Sequence, residues 1–343
     1  MRWLPLTLTV LLAVAQPACG DTPATGADED GGAVADAMGA DHAAAADGGG
    51  ADPDAAALDA GPAEDAGPPP DPCTAPAQPP GDSVWTVTVG GVARQFKVHI
   101  PPSYDATVPT PLVVAFHGVN CTASQQIMIS RLPEKADAAG FIAIHPEGVG
   151  KSWNGGTCCG DAFRQQVDDV GFTAAILDEA EAQLCIDRRR IFATGISNGA
   201  YMAHRLACEM ADRVAAIAPV SGGNLMLTCQ PARPIGVLYF HGTADTIVPY
   251  NGLLALPAAL DTFHRWAQID GCSGTPVQTF ANGDSHCETY QTCGAGVEVT
   301  LCTIEGGGHQ WPGGFEIPLL GHRTTDLSAN DAMWDFFQRH PLP

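Results

Sequence analysis

The sequence predicts an α/β domain in which a mostly parallel sheet is covered by helices on both faces. Three observations predict it. From Val84 onward, short apolar and β-branched runs alternate with stretches of helical periodicity. One run, Ile191 to Thr194, leads through Gly195-Ile196-Ser197-Asn198-Gly199 into Ala200 to Met210, where Met202, Leu206 and Met210 recur at i, i+4 and i+8. Further residues able to do chemistry fall just past other runs, at the strand ends where open parallel sheets place their sites.

The N-terminal part is different in kind. Arg2 followed by the apolar Trp3 to Ala15 has the charged start and apolar core of a secretory signal peptide. Ala13-Val14-Ala15 offers one cleavage site, and Ala18-Cys19 resembles the end of a lipobox that would leave Cys19 as a lipid anchor. Residues 1–19 are therefore expected to direct export, to the cell surface or beyond. Residues 20–72 read as a disordered linker. They hold 13 Asp and Glu residues among Ala, Gly and Pro, with no Lys or Arg between Arg2 and Arg94. So little apolar surface cannot offset the entropy of ordering.

Residues 73–343 are expected to form one large domain. The formal charge is −22, of which about −10 falls on this domain. That acidity argues against a nucleic-acid or anionic-membrane partner, leaving a lipid on Cys19 as the expected route to a membrane. Eleven cysteines follow Cys19, which in an exported chain predicts disulfides, the odd number leaving at least one over, unpaired or pairing outside the chain. Cys272, Cys287, Cys293 and Cys302 are expected to staple the last strands, and the adjacent Cys158 and Cys159 to bond separate partners. No C-x-x-C pair exists, so a zinc-binding reading is weak.

Along the domain, Val84 to Val89 and Val92 to Ile100 alternate around Gly90-Gly91 as a β-hairpin. Leu112 to Phe116 reads as a buried strand leading to His117-Gly118-Val119. Phe141 to His145 is the next strand, after a helical stretch that ends near Gly140. Asp168 to Leu184 is a helix with Val170, Ala174, Leu177 and Leu184 on one face. The serine run follows, then strands over Val214 to Val220 and Ile235 to Phe240, a helix over Thr262 to Ile269, a strand over Val297 to Ile304 and a closing helix over Asp331 to Arg339.

Strand, tight turn and helix around G-x-S-x-G form the context of a nucleophile elbow, with Ser197 exposed at the strand's end. A serine hydroxyl needs a base to take its proton, and the base needs an acid to orient it. Phe240-His241-Gly242-Thr243-Ala244-Asp245 places an acid past one strand, and Gly306-Gly307-Gly308-His309 places a base past the next. His204 lies mid-helix, His286 in a cysteine-bounded loop and Asp261 at a helix start, all worse placed. An oxyanion needs two N–H donors, and the backbones of Asn198 and Val119 are the candidates. Trp153 and Trp311 sit on loops, Trp311 two residues from His309, and both are expected to face substrate.

His117-Gly118, Ser152-Trp153-Asn154, Cys158-Cys159-Gly160, Val167-Asp168-Asp169-Val170-Gly171-Phe172, the serine elbow, His241-Gly242-Thr243-Ala244-Asp245 and Gly308-His309-Gln310-Trp311-Pro312-Gly313 occur in order. Together they resemble the polyhydroxybutyrate-depolymerase-like esterases, most closely the bacterial feruloyl esterases of carbohydrate esterase family 1. The resemblance runs from about Trp85 to the C-terminus. It implies an α/β-hydrolase fold, ester hydrolysis without metal or cofactor, and Ser197, Asp245 and His309 as nucleophile, acid and base. Val119 departs from the small or polar residue expected after His-Gly. The Asp168-Asp169 pair matches a motif of that family, but the sequence gives it no chemical role beyond helix N-capping. The substrate expected is a phenolic ester on plant cell-wall polysaccharide rather than a polyester film, which an acidic linker would bind poorly.

Overall fold

Ten strands pair in one sheet in the order β1-β2-β4-β3-β5-β6-β7-β10-β9-β8. The computed structural model describes Cys73 and residues 76–343; the expected export signal with Cys19 and the linker up to residue 72 lie outside the described residues. The strands are β1 (Gly81–Val89), β2 (Val92–Ile100), β3 (Thr110–Phe116), β4 (Ile142–Pro146), β5 (Ile186–Ile196), β6 (Ala216–Val220), β7 (Gly236–Gly242), β8 (Val277–Asn282), β9 (Ser285–Tyr290) and β10 (Val299–Ile304). From β4 through β10 the six central strands run parallel, and antiparallel hairpins β1-β2 and β8-β9 close the two edges.

The helices are α1 (Ala123–Ser130), α2 (Leu132–Ala139), α3 (Gly160–Arg164), α4 (Asp169–Gln183), α5 (Asn198–Glu209), α6 (Ala259–Ile269) and α7 (Ala329–Arg339). Successive side chains of a strand point to opposite faces, and β3 shows the consequence. Leu112, Val114 and Phe116 join one core with Phe172 and Ile176 of α4, Met202 and Leu206 of α5, and Phe263 and Trp266 of α6. Val113 and Ala115 join the other with Leu132 and Ala136 of α2 and Met333 and Phe337 of α7. A sheet buried on both faces needs apolar residues at consecutive positions, hence the unbroken runs in the sequence.

Three expectations are corrected here. The β8-β9 hairpin was missing from the sequence reading, and His286 lies on β9 rather than in a loop. Cys158 and Cys159 bond to each other instead of to separate partners. No described cysteine is free, where an odd count had left one over. The stapling of the last strands holds: Cys287 and Cys302 face each other across β9 and β10 and are bonded, and Cys272 bonds Cys293. Cys73 is also bonded to Cys185, and Cys208 to Cys229.

Candidate active site

Ser197 stands between β5 and α5 with φ 59° and ψ −119°, a conformation in the left-handed half of backbone space that costs a non-glycine residue about 1–3 kcal/mol. The turn is held by the Ser197 N–H donating to Val220 O at 2.9 Å. Gly195 and Gly199 permit it, because a Cβ at Gly199 would overlap the Phe116 carbonyl oxygen and one at Gly195 would meet Gly199. Both flanking glycines are thus required by the close approach of α5 to β3 and β5.

Asp245 follows β7 and is buried. Its Oδ1 accepts the N–H groups of Ile247 and Val248, each at 2.8 Å, and its Oδ2 accepts His309 Nδ1–H at 2.7 Å. Burial alone would raise its pKa. The nearby His309, together with hydrogen bonds from His241 and His309, overcomes that and holds the carboxyl well below the usual carboxylate range. His309 is reached through the loop after β10, fastened by its own N–H to Leu320 O at 2.7 Å and by Gly308 N–H to His322 O at 2.8 Å. Gln310 clamps the same loop, donating to Ile317 O and Gly321 O and accepting from Ile317 N. With Nδ1 engaged by Asp245, Nε2 carries the lone pair; it is buried and has no hydrogen-bond partner among the described residues.

Three further buried histidines have partners of their own, and His241 also lies near the acid, with Nε2 3.5 Å from Asp245 Oδ2. His204 accepts the Trp266 indole N–H and donates to Gly222 O, and burial lowers its pKa to about 3. His241 is held between the Tyr239 hydroxyl and Val248 O. His117 accepts Gly148 N–H at Nε2 and so donates from Nδ1 to Gly118 O, with burial lowering its pKa to about 4. Among the described residues no group of three or more His, Cys, Asp or Glu side chains could hold a metal ion.

The Asn198 N–H is the first in α5, where intrahelical acceptors do not exist. The loop after β3 lies against the elbow: a Cβ on Gly118 would sit 3.5 Å from the Ser197 Cβ. Val119 follows, and its N–H has no acceptor recorded among the described residues.

The two tryptophans are corrected. Trp153 is fully buried edge-on to Phe116, and its indole donates to His117 O at 2.9 Å. Trp311 is equally buried, with its indole donating to Asn330 Oδ1 at 3.0 Å. Neither has surface to offer a substrate; a loop position proved no guide to exposure, because both indoles turn into the cores on the two faces of the sheet.

Sequence reasoning missed a supporting network. Asn198 Oδ1 accepts Trp153 N–H at 2.6 Å, and Asn198 Nδ2 donates to Trp153 O at 3.0 Å. The neighbouring Asn154 N–H donates to Asp169 Oδ2 at 2.8 Å, while Asp169 Oδ1 pairs with Arg94 at 2.7 Å. Arg94 in turn stacks over Phe172. Burial pushes the Asp169 carboxyl up, and Arg94 and Asn154 draw it back. Asp168 caps α4, as expected, by accepting Gly171 N–H, but Asp169 braces the loop beside the elbow. The signal was a charged pair in an otherwise apolar helix start, facing the single basic residue of β2's inner positions.

No family model matches the chain. Its sequence is 36% identical over 272 residues to feruloyl esterase B of Piromyces equi, covering 73% of this chain and 46% of that protein, so the chain spans about half of that relative's length. It is 30% identical over 277 residues to the esterase NocK of Nocardia uniformis subsp. tsuyamanensis, covering 73% of this chain and 80% of that protein. The chain belongs to the same family of esterases as NocK, and a feruloyl esterase is among its relatives. Among solved structures, acetyl xylan esterase from Aspergillus awamori superposes with TM-score 0.54 at 17% identity, covering 75% of this chain and 99% of that one, which shows the α/β-hydrolase fold. Of the two sides of the resemblance, relatives of this esterase carry the feruloyl name; the depolymerase side rests on motifs alone.

Proposed function

We propose that this esterase hydrolyses hydroxycinnamoyl esters of plant cell-wall polysaccharide through Ser197, His309 and Asp245. The observation that carries the mechanism is the buried Asp245–His309 pair with its unpartnered Nε2, which follows the C-terminal ends of β7 and β10 as the strained Ser197 follows that of β5. His309 Nε2 takes the Ser197 proton as the oxygen attacks the ester carbonyl, and Asp245 stabilises the imidazolium that forms. The Asn198 and Val119 N–H groups hold the oxyanion. His309 returns its proton to the leaving alcohol. Water, deprotonated by His309, then releases the carboxylic acid and frees Ser197. The names of the relatives, not the tryptophans, now support the substrate class.

Methyl ferulate, feruloylated arabinoxylan and a polyhydroxybutyrate film, each incubated with the enzyme, test it. Ferulate release from the first two is expected. Hydroxybutyrate from the film without ferulate from either would overturn the substrate reading. Export by residues 1–19 belongs to the same proposal, and the intact mass of the exported protein separates a lipidated Cys19 from cleavage after Ala15.

A further inference from the structure

The vicinal Cys158–Cys159 disulfide has no part in the mechanism above, yet it packs on a cluster that is bonded to the proposed nucleophile and acid. It packs with Ile247 and Leu256 against a buried base of Tyr201, Leu225 and Val248. Tyr201 lies one helical turn from Ser197, its N–H donating to Ser197 O at 3.1 Å, and Val248 N–H is bound by Asp245 Oδ1. Two members of the same small cluster are therefore tied by their backbone N–H groups to the proposed nucleophile and the proposed acid. Its segment is also fixed in place, since Trp153 is doubly bonded to Asn198 and Thr157 Oγ1 donates to Leu225 O. Cys158, Cys159, Ile247 and Leu256 are each half-buried over the same base, leaving four uncharged side chains partly open to solvent. Leu225 and Leu256 of this cluster, with Thr157 next to Cys158, also line a cleft of about 610 Å³.

We infer that this disulfide-centred surface is the subsite for the apolar part of the acyl group, the ring of a hydroxycinnamoyl ester on the functional reading above. Rigid sulfur is suited to that contact, because divalent sulfur is polarisable and packs favourably against aromatic rings. A bonded pair of neighbours also offers both sulfurs to a ligand with no side-chain freedom left to lose. Acyl groups too short to reach the surface gain nothing from it.

The test compares kcat/KM on p-nitrophenyl acetate, p-nitrophenyl octanoate and methyl ferulate for wild type, the Cys158→Ala/Cys159→Ala double variant and Leu256→Ala, which keeps the disulfide. Both variants are expected to lower the selectivity for ferulate and octanoate over acetate by about tenfold, the usual scale for a lost apolar pocket contact. Unchanged selectivity in the two variants would overturn the inference, as would an equal loss on all three esters, which marks a structural role. A wild type that cleaves both p-nitrophenyl esters but not methyl ferulate defeats the substrate reading instead, and the octanoate-to-acetate ratio still decides the subsite.

Discussion

The Asn198 side chain closes a two-bond ring on the backbone of Trp153, accepting its N–H at 2.6 Å and donating to its carbonyl at 3.0 Å. Asn198 thereby has two separate duties. Its backbone N–H points to the proposed oxyanion, and its side chain locks the loop that carries the vicinal disulfide and, through the Trp153 indole, the His117 carbonyl.

Asn198→Ala separates the duties, because the backbone donor survives. It strands two buried polar groups of Trp153, each costing about 1–3 kcal/mol. We expect a lower Tm together with a fall in kcat of up to about 100-fold, the scale of a small misplacement of reacting groups. Wild-type kcat in a destabilised variant would show that the ring serves stability alone.

The Arg94–Asp169 pair is buried on both sides, so removing one partner leaves a charge without compensation. Asp169→Ala is expected to lose about 3–5 kcal/mol in urea unfolding, and Arg94→Met/Asp169→Leu to recover part of it. If the single substitution costs under about 1 kcal/mol, Asp169 is not the brace described.

Three buried histidines set the acid limb of stability. Burial lowers His117 to about 4 and His145 and His204 to about 3. Their folded pKa values lie below the unfolded 6.5, so below pH 6.5 the unfolded chain binds protons that the native one refuses. Stability is then full above pH 6.5 and falls as pH drops towards 4, each histidine contributing up to about 1.4 kcal/mol per pH unit. Asp245 adds to the loss at lower pH still, because its depressed pKa favours the folded state only while it is ionised. Both ring nitrogens of His145 lack partners among the described residues. His145→Leu should therefore gain about 2 kcal/mol over wild type at pH 5 relative to pH 7.5, read from denaturant midpoints. An equal difference at both pH values would assign the effect to packing.

Gly242 ends β7 against the His309 loop, where a Cβ would overlap the Gly307 carbonyl. Gly242→Ala should displace that loop and lower kcat by at least tenfold with Ser197, Asp245 and His309 all present. Activity within twofold of wild type would mean the loop yields without moving His309.

What was legible in the sequence follows from these contacts. The parallel strands announced themselves because both sheet faces are buried, and the order of Ser197, Asp245 and His309 is a property of chain topology. The β8-β9 hairpin did not, since β8 is an exposed edge written Val-Gln-Thr-Phe-Ala-Asn and the inward face of β9 is Ser285, Cys287 and Thr289. Only Asn282-Gly283 hinted at its turn. Burial of Trp153 and Trp311, the bonding of Cys158 to Cys159 and the reach of Asp169 to Asn154 depend on how distant loops meet, which no local pattern encodes.

The most direct test of the whole account is kcat of Ser197→Ala on p-nitrophenyl acetate, with the variant's melting curve confirming that it folds. A fall of roughly 10⁴–10⁶-fold is predicted, the scale of removing the nucleophile from such a triad. Turnover near the wild-type rate would contradict Ser197 as nucleophile, and with it the mechanism built on Asp245 and His309.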